Sequence, residues 1–294
     1  KRTLDAGFTT IRNLGSGGGA DVALKRAINE GFVPGPRIWT ARNTLSITGG
    51  HGDQGGLRHD LIEAPTFEEG IVDSPEEAAK AVRYQHKYGA DLIKFTATGG
   101  VLSINDAGDV QQFSDAEMRT IVETAHLLGI KVAAHAHGKR GMEAAIRAGV
   151  DSIEHGMFIA AEDIDVMAAS GIWYVPSLYL MTKAVFTSPE QAAQSKPGID
   201  IINETFRRAR RAGVRIAFGS DVGAFDWNVT PAVQLPMMVQ LGMTPVQALK
   251  SATADAADLL QTQRDVGTIE TGKFADIIAV RGNPLEDVTL LQQV

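Results

Sequence analysis

The 294-residue chain has no cysteine, which excludes a disulfide framework and a thiolate nucleophile. Any transition metal must then be held by nitrogen and oxygen. An apolar run of roughly 18 residues is also missing, so no transmembrane helix is expected. Basic charge is in deficit: 28 Lys and Arg stand against 35 Asp and Glu, for a net charge of −7 and no evident basic stripe. Nucleic acid and anionic membrane are poor partners for such a surface, and a small-molecule or dipeptide substrate is the better expectation. A homo-oligomer is compatible with this composition. Lys1 to Gly7 reads as the last turns of a helix with no initiator Met, signal peptide or N-cap, so the chain is expected to be a truncated piece of a longer parent. Cytoplasm and periplasm both fit, since lack of cysteine does not choose between them.

What is present is enough apolar material, 44% of residues, to bury a full-sized core. Helix-like segments end at Gly7, Gly31, Gly89, Gly129, Gly149, Gly171 and Gly213, where glycine can take the left-handed conformation that closes a helix. Each is followed by a short apolar strand candidate, at 8–14, 37–47, 90–97, 130–137, 150–155, 172–180 and 214–221. Ser74 with Glu77, Ser114 with Glu117, and Thr244 with Gln247 have the spacing of reciprocal capping boxes. Strands alternating with helices mean an open doubly wound sheet or a closed barrel. Candidate site residues fall at the ends of several strands, which suits the ring. The fold class is therefore α/β, a (β/α)8 barrel of TIM type. The expected domains are 1–263 for the barrel and 264–294 for part of a small β-domain, because 267–281 reads as two short strands around Glu270 to Lys273.

Four residues at or near strand ends carry the chemistry. Lys94, facing the interior, would be pushed toward the neutral amine, which can take up carbon dioxide as a carbamate able to bridge two metal ions. Alternatively it reaches out to solvent. His135 and His137 leave the same face of one strand, so one can ligate metal and the other hold substrate. His155 adds a third strand-end histidine, and Glu154 before it reads as a structural partner. Asp221 could bind metal and move a proton, or simply cap the next segment. His51 lies in the glycine-dense Thr48-Gly49-Gly50-His51-Gly52 loop and could approach a developing oxyanion. His59, His86 and His126 read as ordinary surface or packing residues. A different class is raised by Gly15 to Ala20, which fits a dinucleotide-binding glycine pattern, with Arg42 available to a 2′-phosphate but no acidic residue for a ribose.

Taken together, Gly7-Phe8-Thr9-Thr10-Ile11-Arg12, Thr48 to Gly52, Lys94-Phe95 with Gly99-Gly100-Val101-Leu102-Ser103, Gln112-Phe113-Ser114, His135-Ala136-His137, Ile153-Glu154-His155-Gly156, Gly219-Ser220-Asp221 and Gly272-Lys273-Phe274-Ala275-Asp276 resemble the amidohydrolase superfamily. The likeness is to its imidazolonepropionase-like branch, which includes Xaa-Pro dipeptidase-like enzymes. The resemblance implies a zinc-dependent hydrolase of amide or peptide C–N bonds, most readily a dipeptidase or carboxypeptidase acting on dipeptides or N-acyl amino acids. Cyclic-amide or ester hydrolysis is the alternative, and a nucleotide-binding oxidoreductase the distant one. It implies Lys94 as a carboxylated bridging lysine, His135 and His155 as ligands of one metal, and Asp221 as ligand and general base for an attacking water. His51 and His137 would contact the substrate carbonyl or carboxylate. Two zinc ions are implied in the parent, whose first-strand His-x-His pair this chain does not contain. The barrel would lack its first strand, and the tail would be the remnant of a small β-sandwich.

Overall fold

A computed structural model describes residues 1–53, 58, 60, 63–100, 108–180 and 189–294, with the side chains of 189–197 excepted. In chain order the elements are α1 Arg2–Asp5, β1 Thr10–Asn13, α2 Ala20–Asn29, β2 Arg37–Thr40, α3 Pro75–Lys87, β3 Leu92–Thr96, α4 Asp115–Leu127, β4 Lys131–Ala136 and α5 Lys139–Ala148. There follow β5 Ser152–His155, α6 Ala161–Ser170, β6 Trp173–Val175, α7 Pro189–Arg211, β7 Arg215–Ile216, α8 Gln234–Gln240, α9 Pro245–Ser251 and α10 Ala254–Leu259. Every strand expected from 8 to 221 is present in shortened form. All seven helix-closing glycines have positive φ, and Gly149 and Gly171 are themselves left-handed C-caps. The boxes at Ser114 and Thr244 are reciprocal. At Ser74 only half forms, because the Glu77 carboxylate accepts from the N–H of Asp73, one residue before the cap.

The chain divides into two compact units. One comprises Ile11–Val33 and Arg37–Ile172. In it β1 pairs with β2, and β3, β4 and β5 form parallel ladders with Lys94 beside Ala133, Thr96 beside His135, and Ala136 beside His155. Between β2 and β3 the ladder shrinks to one bridge, Leu45 with Phe95, so the described strands do not close the expected ring. Both faces of β3 are buried, including the polar Lys94 and Thr96. Phe95 packs edge-to-face on Phe113, ring centroids 5.9 Å apart, and both are almost wholly buried. Helices α3, α4 and α5 pack in sequence.

The other unit comprises Lys1–Thr10, Pro34–Pro36 and Trp173–Val294. Here β6 and β7 run parallel, Trp173 beside Arg215 and Tyr174 beside Ile216. Trp173, Val175, Ala217 and Leu259 form an apolar cluster, and Phe8 stacks on Phe218 at 5.5 Å. The strand expected to reach residue 221 stops at Ile216, because the N–H of Phe218 turns to the carbonyl of Ser251 and leaves the ladder. A second expectation also fails. The turn at Glu270 to Lys273 forms, with the N–H of Lys273 on the Glu270 carbonyl at 3.3 Å, but 267–281 contains no strand among the described residues. A strand exists only through its ladder, and alternating apolar residues cannot supply one without a neighbour. Ile269, Phe274 and Ile277 accordingly lie more than half exposed. Among the described residues no helix is long and apolar enough to cross a membrane.

Candidate metal centre

Parallel strands β3, β4 and β5 present their ends side by side, and that is how distant residues meet. Lys94 and Thr96 share one face of β3, and His135 and His137 share one face at the end of β4. Lys94, His135 and His137 are all buried. His51 enters from the loop after β2. Its ring centroid lies 4.2 Å from that of His135, which in turn lies 4.7 Å from both His137 and His155. His137 and His155 stack at 5.3 Å. Four imidazoles predicted from three separate motifs therefore form one cluster.

His155 reaches it by an unusual route. Its φ is 68°, in the left-handed region that non-glycine residues avoid, and Gly156 follows at 59°. This interrupts the alternation of an extended strand just after Glu154. The Glu154 carboxylate, expected only as a structural partner, accepts from Arg12 Nη2 and from Ser152 Oγ, each at 2.6 Å. Arg12 Nη1 also reaches Ser152 Oγ at 3.2 Å. From sequence, Arg12 stands only as the last residue of the Gly7–Arg12 motif and has no assigned role.

Electrostatics in this unit favour neutral imidazoles. Burial pushes His135 and His155 well below the ordinary histidine range, reinforced by the other histidines and by Lys94. His137 is brought down to about 3, first by burial and then by His51 and Lys94. Neutral imidazole has a free lone pair, the form that ligates metal. Nδ1 of His137 is buried without a hydrogen-bond partner, and a ring nitrogen of His135 approaches the Gly99 carbonyl at 3.2 Å. The donor chemistry thus fits an ion bound through imidazole nitrogen. The geometry is not a finished cage, since among the described residues no group of three or more His, Cys, Asp or Glu is disposed to hold a metal ion. The rings are packed edge and face rather than aimed at one point.

Asp221 belongs to the other unit, beyond the end of β7, exposed and with φ 57°. Its carbonyl accepts from Ala224 N–H at 3.2 Å. His86 is exposed on α3, and His126 pairs with Asp151 at 2.9 Å, both as expected of surface residues. His59 lies outside the described residues. At Gly15 to Ala20 the chain does open a helix, through a short turn at Gly17–Gly19. Buried Asp21, however, accepts from the N–H groups of Val22 and Arg42 there, placing negative charge where a pyrophosphate would need positive.

Comparison with known proteins agrees with the motif series. A model of the amidohydrolase family matches residues 1–293. The chain is 35% identical to the ochratoxinase of Aspergillus niger, over 99% of this chain and 63% of that protein. It is 28% identical to the imidazolonepropionase of Pseudomonas fluorescens, over 70% of this chain and 49% of that one. The chain therefore spans less than two thirds of the length of these curated relatives. Among solved structures, a Xaa-Pro dipeptidase with methionine bound in its active site superposes with a TM-score of 0.93 at 42% identity, covering 99% of this chain and 74% of that one. The chain belongs to the amidohydrolase family, and its parallel α/β architecture is of the TIM-barrel type.

Proposed function

We propose that this amidohydrolase-family chain forms the body of a metal-dependent hydrolase of amide C–N bonds, acting as a dipeptidase or carboxypeptidase on dipeptides or N-acyl amino acids. The observation that carries the reading is the packing of four imidazole rings, His51, His135, His137 and His155, into one cluster, with Lys94 buried on the strand next to that of His135. His135 and His155 would hold zinc through ring nitrogens. Lys94 would join them as a carbamate: its amine nitrogen bonds to the carbon of carbon dioxide, one C–O π bond becomes an oxyanion, and the nitrogen releases a proton. Asp221 would complete the ligand set. Zinc, when bound, polarises the scissile carbonyl and makes water a better nucleophile at neutral pH.

The chain's own groups do the rest. Asp221 takes a proton from the attacking water and passes it to the leaving nitrogen. His51 and His137 offer N–H donors to the substrate's carbonyl and to a carboxylate next to the scissile bond. The methionine bound in the active site of the Xaa-Pro dipeptidase is a free amino acid with a carboxylate of its own, which supports reading the acid end as a recognised group. A cyclic amide is the second reading, favoured by the likeness to an imidazolonepropionase.

The test compares each free acid with its C-terminal amide, in the wild type and in His137→Ala, with bound metal measured alongside. The free acids should be cleaved and the amides poorly. His137→Ala should raise KM for the acid by about tenfold or more and for the amide much less, because only the acid loses a charge-assisted bond worth about 1.5–3 kcal/mol. Equal losses would reduce the assignment to an amidohydrolase without carboxylate recognition, and absence of all amide cleavage would end it.

A further inference from the structure

We infer that Gln112 is a positioning residue for His51, and that it sets the distance between the His51 loop and the inner face of β3. The inference rests on the proposed role of His51 at the substrate carbonyl. Gln112 Oε1 accepts from the backbone N–H of His51 and from the hydroxyl of Thr96, each at 3.1 Å. The amide is oriented without ambiguity, since a backbone N–H can only donate and so must face oxygen. Thr96 lies two residues after Lys94, on the same face of β3. One oxygen therefore ties the loop that carries a candidate substrate contact to the strand that carries the candidate bridging lysine.

The surrounding contacts make this tie a constraint on place. Gln112 is itself held by its N–H on the Ala97 carbonyl at 3.0 Å, and the neighbouring Gln111 bridges Thr98. Below it, Thr96 Oγ1 reaches Ser46 Oγ at 3.2 Å, which accepts from the N–H of Gly52 at 3.0 Å. His51 is thus flanked: Gln112 holds its own N–H, and Ser46 holds that of Gly52, the next residue. On the other side, a methyl group at Gly100 would fall within the His51 ring, so the imidazole lies directly on the Gly100 backbone. The ring can occupy this position only because residue 100 has no side chain, and it stays there because Gln112 fixes the backbone behind it.

The test reads His51 directly and then the reaction. Protein labelled at histidine Cε1 gives one ring signal per histidine, with that of His51 identified by its loss in His51→Gln. Gln112→Met, which keeps the shape and removes the acceptor, should displace the His51 signal while those of His86 and His126 stay. Gln112→Glu, which restores the acceptor, should return it. In the zinc-loaded enzyme, Gln112→Met should lower kcat by about 10²-fold with little change in KM, and Gln112→Glu should recover most of that loss. In the unaltered protein the His51 amide should exchange its hydrogen slowly, a readout that needs no variant to fold. An unmoved His51 signal in Gln112→Met, or a His51 amide exchanging as fast as a free loop, would overturn the inference. A displaced signal with unchanged kcat would leave the positioning role standing and overturn the reading of His51 as a substrate contact.

Discussion

Replacing Arg12 by Met should destabilise the unit that contains it far more than loss of a typical salt bridge would. The two side chains of the Arg12–Glu154 pair are 12% and 4% exposed and 2.6 Å apart, so little water screens them. An exposed ion pair is worth about 0–1 kcal/mol. Here, removing the guanidinium leaves the Glu154 carboxylate buried with Ser152 Oγ as its remaining named donor, and an uncompensated buried charge costs about 3–5 kcal/mol. Methionine fills much of the vacated volume, so the loss is electrostatic rather than a cavity. Arg12→Met with Glu154→Leu, which removes both charges, should recover most of it, because an apolar pair avoids the desolvation penalty altogether. Urea unfolding followed by tryptophan fluorescence suits the measurement, since Trp39 lies in the unit of Arg12 whereas Trp173 and Trp227 lie in the other. A loss under about 1 kcal/mol in Arg12→Met, or a double variant no better than the single, would refute the argument.

The other predictions are shorter. Asp221→Asn should cut kcat by about 10²–10⁴-fold while KM changes little, since the proton carrier is lost and the pocket is not; unchanged turnover in steady-state assays would remove Asp221 from the mechanism. Gly70→Ala should destabilise by at least about 1–3 kcal/mol in urea unfolding, because φ there is 98° and the added methyl would meet the Thr44 carbonyl oxygen. A neutral effect would mean that the segment around Gly70, whose carbonyl accepts from Ser46 N–H, yields freely.

Local signals were the readable ones. A helix-closing glycine needs only its own left-handed φ, and a capping box only residues three apart, so all seven glycines and two of the three boxes could be read directly from sequence. Lys94 and His135 were legible because each interrupts a short buried strand that is otherwise mostly apolar, and His155 because it closes the next strand in the alternation with helices. What failed depended on partners. The 267–281 tail has the alternation of strands, yet alternation describes a face, not a ladder. Arg12 and Glu154 stand 142 residues apart, and no periodicity in either segment announces the pairing. Gln112 was visible only as part of a motif, because the atom that matters accepts from a backbone N–H sixty-one positions away in a loop without regular structure. His155 is the intermediate case: its position was legible, but the left-handed turn that breaks the strand's alternation there was not.

That turn also connects stability with chemistry. Non-glycine residues with positive φ among the described residues are Arg42, His155, Asp221 and Gln261, and two of these four are candidate ligands. Such a conformation costs on the order of 1–3 kcal/mol and persists only where the surroundings over-determine it. For His155 the surroundings are explicit. Glu154, immediately before it, is fixed by Arg12 and Ser152, and the N–H of Gly156, immediately after it, donates to the Ala136 carbonyl at 3.1 Å. A strained residue held on both sides keeps its imidazole against His135 and His137. The buried ion pair is therefore best understood as the anchor for a backbone that would otherwise relax, and its position next to a candidate ligand follows from that task. The same logic accounts for the arrangement around His51, where rigidity comes from Gln112 and Gly100 rather than from strain. In both places the cluster is held by neighbours that carry no chemistry of their own.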